Sequence, residues 1–67
     1  MDNKVKLLRA MQDIGEGVFI DLIELAPKLG WNESQIASVA KELAKMGLIK
    51  LNTGYTHASL TKTGASA

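Results

Sequence analysis

Cysteine is absent from this 67-residue chain, which also has one proline, one histidine and a single Phe, Tyr and Trp. Without cysteine there can be no disulfide staples, no thiolate zinc site and no Cys nucleophile, and a small chain that folds without staples is most simply intracellular. With His57 as the lone histidine, a metal site would have to be built from carboxylates, and none is expected. No apolar run approaches the roughly 20 residues that span a bilayer, and the start "MDNKVKLLRAMQD" is too charged and too broken for a secretory signal. The expectation is a cytoplasmic chain with no membrane association and no cofactor. A chain of this length buries only about 60% of the surface its unfolded form exposes, too little for a large enclosed active site. It has no nucleophile elbow and no phosphate-binding glycine loop, and nothing in the sequence sets His57 beside a Ser and an Asp. Neither an enzyme nor a small-molecule substrate is expected.

What is present reads as one globular domain over residues 1–67, with 46% hydrophobic residues and no low-complexity run. The net charge of +1 conceals an asymmetry. Residues 1–24 carry three bases against five acids, whereas residues 25–67 carry five lysines against Glu33 and Glu42. The C-terminal half is therefore the one suited to an anionic partner.

Leu7, Leu8, Met11 and Ile14 recur at helical spacing and predict a first helix over about 3–14, capped by Asp2 or Asn3 and stopped at Gly15 and Gly17. Val18 to Ile20 form a short extended piece. Asp21 then caps a second helix over about 22–29, with Glu24 at the capping-box position, Ile20 able to staple onto Leu25, and Pro27 expected to kink it or tighten its last turn before Gly30. Gly30 supplies a positive-φ residue before Asn32 caps a third helix over about 33–46, where Gln35 repeats the capping-box position and Trp31 packs toward Ile36. Gly47 ends that helix and brings Leu48 back onto Leu43. The period then changes to two, with Ile49 and Leu51 on one side of "NTG" and Ala58 and Leu60 on the other, a hairpin over 48–61. "TKTGASA", with little apolar content, is expected to fray as a tail over 62–67.

The segments "LIELAPKLGW", "NESQIASVAKELAKMGLI" and "LTKTG", in this order and spacing, resemble the winged helix-turn-helix domain of MarR-like transcriptional regulators. The likeness runs from about residue 5 to residue 64, and "LAKMGLI" from Leu43 to Ile49 is similar to the family's exit from recognition helix to wing. The fold so implied is α+β, mostly α: a three-helix winged helix-turn-helix with a short C-terminal β-hairpin wing. Two departures are that the chain as given stops soon after the wing, without the family's further dimerising helices, and that helix 3 carries no Arg.

The resemblance makes double-stranded DNA the partner and helix 3 the recognition helix. Ser34, Gln35 and Ser38 would then face base edges, with Lys41, Lys45, Lys50 and Lys62 on phosphates and Thr53, Tyr55 and His57 at the wing. Each has a plainer explanation. Gln35 completes a capping box, the serines and lysines form a solvated face, and polar and Gly residues are what a hairpin turn requires. Lys4, Lys6 and Arg9 form a smaller basic cluster on helix 1, which is also the expected surface of a homodimer. The alternative function is a winged-helix protein-protein interaction module without DNA binding, in contact through helix 1 or the edge of the Val18–Ile20 strand.

Overall fold

The computed structural model describes residues 2–67 and has an α+β, mostly helical architecture of four helices and one three-stranded antiparallel sheet. Helix α1 (Asn3–Ile14) is capped by Asp2, whose side chain accepts from the Lys4 backbone N–H. It buries Leu7, Leu8 and Met11. Strand β1 (Ile20–Asp21) lies one to two residues later than the apolar run 18–20 suggests. Of that run only Ile20 enters the core, because the ladder with the third strand is confined to Ile20 opposite Ala58 and Asp21 opposite His57. Val18 and Phe19 are left outside it and exposed.

Helix α2 (Leu22–Lys28) starts on Asp21, whose carboxylate accepts from the Ile23 and Glu24 backbone N–H groups. It ends one residue before the expected 29, since past Pro27 the chain tightens: the Leu29 N–H bonds back to the Ala26 carbonyl and the Gly30 N–H to that of Pro27. Gly30, at φ 77°, turns the chain directly into α3 (Glu33–Lys45), capped by the Asn32 side chain on the Gln35 N–H. At the far end the Leu48 N–H reaches the Leu43 carbonyl at 3.1 Å and the Gly47 N–H that of Ala44 at 3.0 Å, a Schellman stop with Gly47 at φ 76°. The hairpin is β2 (Ile49–Leu51) and β3 (His57–Leu60), and β3 is central in the order β1-β3-β2.

The tail expected to fray is helix α4 (Lys62–Ser66). Thr61 caps it by accepting from the Gly64 N–H, and its hydroxyl lies 2.8 Å and 3.0 Å from the Gly47 and Leu48 carbonyls. Gln12 of α1 donates through Nε2 to the carbonyls of Gly64 at 2.8 Å and Ala67 at 3.0 Å. Polar anchors therefore replace the missing apolar face. Gly64 is buried so closely against the Leu48 carbonyl that no side chain fits there.

One core joins these elements, with Leu7, Met11, Leu22, Ile36 and Leu43 fully buried at its centre. Trp31 joins the same core. Among the described residues no helix is long and apolar enough to cross a membrane.

Candidate nucleic-acid interface

Helix α3 buries Ile36, Val39, Ala40 and Leu43, which turns Ser34, Gln35, Ser38, Lys41 and Lys45 to the outside. Beside its outer face runs the loop 52–56 between β2 and β3, and the two enclose an open furrow. Its section of about 440 Å³ is lined by Lys41, Lys45, Leu51 and Tyr55 among others. A second section of about 250 Å³, toward the start of α3, includes Glu33, Ser34, Ala37, Tyr55 and Thr56. Tyr55 lines both sections and stands between them.

The loop is held by one side chain. Asn52 Oδ1 accepts from the Thr56 and His57 backbone N–H groups at 2.8 Å and 3.0 Å, its Nδ2 donates to Thr56 Oγ1, and its carbonyl accepts from the Tyr55 N–H. This turn sets Tyr55 at φ 58°, the one non-glycine residue with positive φ among those described. A left-handed backbone costs a side-chain-bearing residue roughly 1–2 kcal/mol. In return the Tyr55 ring lies under the Lys41 ammonium, 4.4 Å from Nζ to the ring centroid, while remaining 47% exposed. A cation over an exposed ring contributes about 0.5–1 kcal/mol, so the contact offsets part of that strain and fixes where the Lys41 charge sits.

The acids near α3 are disposed unequally. Glu42 turns toward α1, where Lys4 Nζ lies 3.4 Å from its carboxylate and 3.6 Å from that of Asp2. Glu33 does line the furrow, but in the section away from Lys41 and Lys45. The cationic end of the furrow is thus free of carboxylate lining.

Of the residues expected at a DNA surface, Lys41, Lys45 and Tyr55 line one section of the furrow, and Ser34 lines the other, with Tyr55 shared. Gln35 and Ser38 are exposed on α3 but do not line it; the Gln35 side chain closes no capping box, so only its backbone N–H is engaged with Asn32. Lys50 and His57 lie on the opposite face of the sheet. Their neighbours Ile49, Leu51 and Ala58 face the core and α3, and alternation along a strand sends Lys50 and His57 the other way. His57 Nδ1 is 2.9 Å from Thr56 Oγ1, and its Nε2 is 3.9 Å from Asp21, its partner across the ladder. Thr53 is exposed in the loop, and Lys62 sits at the start of α4; neither lines the furrow. On α1, Lys6 is taken up internally, donating to the Leu29 carbonyl at 2.9 Å with its ammonium 5.5 Å from the Trp31 ring centroid. The residue that composition does not advertise is Asn52, whose side chain organises the loop; the Asx-turn potential of "NTGYTH" is its signal.

Among the described residues no group of three or more His, Asp or Glu side chains is placed to hold a metal ion. Comparison of the chain with protein-family models, curated proteins and solved structures finds no match in any of the three.

Proposed function

We propose that this chain is a small DNA-binding protein of the winged helix-turn-helix type, a cytoplasmic transcriptional regulator that sets α3 in the major groove of double-stranded DNA. The observation that carries the reading is the cationic end of the furrow: Lys41 and Lys45 converge there with Tyr55 while Glu42 is drawn off by Lys4. In this reading Ser34, Gln35 and Ser38 meet base edges, where hydroxyl and amide groups can both donate and accept. Lys41 and Lys45 neutralise phosphates, and the loop carrying Tyr55 lies along the flanking backbone. Lys50 and His57, on the far face of the sheet, take no part. Two phosphate contacts give weak binding, so the reading includes a homodimer through α1 or cooperative occupation of repeated half-sites.

The test is fluorescence anisotropy of a labelled mixed-sequence duplex at several salt concentrations, with the wild type and a Ser38→Ala, Lys41→Ala, Lys45→Ala variant. Each phosphate contact contributes about −0.9 to the slope of log K against log salt, so losing two lysines should flatten that slope by roughly 1.8. Equal binding by both proteins, or none by the wild type at low salt, would remove the reading.

A further inference from the structure

We infer a second surface, independent of the DNA reading: the junction of α1 and β1, where Ile14, Val18 and Phe19 form a docking site for an extended, cationic and apolar segment of another protein. Phe19 is the most exposed large hydrophobic residue described, at 66%, and Ile14 and Val18 on either side of the Gly15–Gly17 turn are 47% and 46% exposed. Ile23, also exposed, belongs elsewhere, because it lines the furrow beside Tyr55.

Charge selects the occupant. Residues 10–27 contain four acids, Asp13, Glu16, Asp21 and Glu24, and no lysine or arginine. Their one ion-pair approach among the described residues is Asp21 to His57 at 3.9 Å. The outer face of the sheet beside the patch carries Asp21 and His57, and its one lysine, Lys50, is two strands away on β2, about 10 Å at the usual strand spacing. Arg9, one turn before Asp13 on α1, is not within ion-pair distance of any carboxylate described. An isologous pair of these patches would set Asp13 and Glu16 against their own copies. The apolar groove at the other end of α1, lined by Val5, Leu43 and Met46, offers no better match, since its one lining base, Lys4, is already held by Asp2 and Glu42. A second copy is therefore the wrong occupant of this patch, whatever the rest of α1 contacts, and a segment bearing lysine or arginine beside apolar side chains is the complementary one.

Shape and size agree with a peptide. β1 pairs with β3 on one side and has no strand on the other, so its edge can accept an added strand, with Phe19 as the side-chain anchor. Burying the exposed two thirds of Phe19 removes roughly 100–160 Å² from water, the contribution of one aromatic anchor to such a contact.

The experiment is a ¹⁵N-¹H NMR titration of the labelled full chain with the peptide Lys-Val-Lys-Phe-Lys-Val-Lys, and with the same peptide carrying Glu for every Lys. The lysine peptide should perturb residues 13–21, and the glutamate peptide should not. Phe19→Ser should weaken the lysine peptide by about tenfold or more, as expected of a central aromatic anchor, and Glu16→Lys should weaken it with Phe19 intact. Phe19→Ser should leave DNA anisotropy titrations unchanged, which separates this site from the DNA surface. Perturbations centred elsewhere, equal binding by the glutamate peptide, or indifference to both substitutions would overturn the proposal. So would concentration-dependent self-association that Phe19→Ser abolishes, which would make the occupant a second copy.

Discussion

Gly64→Ala is the substitution that most sharply separates a docked α4 from a frayed tail. Gly in a helix ordinarily lowers stability by about 0.5–1 kcal/mol relative to Ala, so in a frayed or freely exposed segment the change would be neutral or favourable. Here the added Cβ would overlap the Leu48 carbonyl oxygen and carbon, both backbone atoms, and come within 3.1 Å of Leu60 Cδ2. Two responses are open. The chain can absorb the clash, which in packed sites costs about 1–3 kcal/mol. Or α4 can lift away and lose the two Gln12 bonds and the Thr61 cap, each worth about 0.5–1.5 kcal/mol. Absorbing the clash is the cheaper response, so a loss of about 1–3 kcal/mol is expected, a fall in Tm of roughly 4–24 °C for a domain this small. Thermal unfolding followed by circular dichroism measures it, and amide hydrogen exchange at residues 62–67 tells which route is taken. A variant as stable as the wild type, or more so, would refute the close approach of α4 to the Leu48 carbonyl.

Asn52→Ala should cost about 1–3 kcal/mol, because it strips two part-buried backbone N–H groups, those of Thr56 and His57, of their acceptor; urea unfolding checks this, and a change below 0.5 kcal/mol would mean the loop is not held this way. Tyr55→Asn should keep or slightly raise stability, since Asn tolerates the left-handed backbone at φ 58°, while weakening DNA binding through loss of the ring that positions Lys41. Denaturation and anisotropy on the same protein decide it, and a variant that binds DNA as tightly as the wild type would remove Tyr55 from the interface.

The helices were legible because their signals are local. Asp2, Asp21 and Asn32 cap where the pattern of side chains places them, and Gly30 and Gly47 take the positive φ their positions require. The position of β1 was not legible in the same way: the run Val18–Ile20 marks extended chain, but only β3 decides which of its residues are paired. The α4 helix escaped because its stability comes from Thr61, Gln12 and a glycine contact, two of them distant in sequence, and it has no apolar stripe to announce it. Within the candidate site, Ser34, Lys41 and Lys45 share a helix face by spacing alone, whereas the approach of Tyr55 to Lys41 depends on how Asn52 folds the loop. The places of Lys50 and His57 were within reach of the sequence, since the burial of Ile49 and Ala58 already implies that their neighbours face away.

We propose the outer face of α3 and the loop beside it as a DNA surface. Its most direct test is a ¹⁵N-¹H NMR titration of the chain with a mixed-sequence duplex at low salt. Perturbations concentrated at Ser34, Ser38, Lys41, Lys45 and Tyr55, and reversed by added salt, are the predicted result. A spectrum that does not change, or changes only at Ile14, Val18 and Phe19, would contradict it.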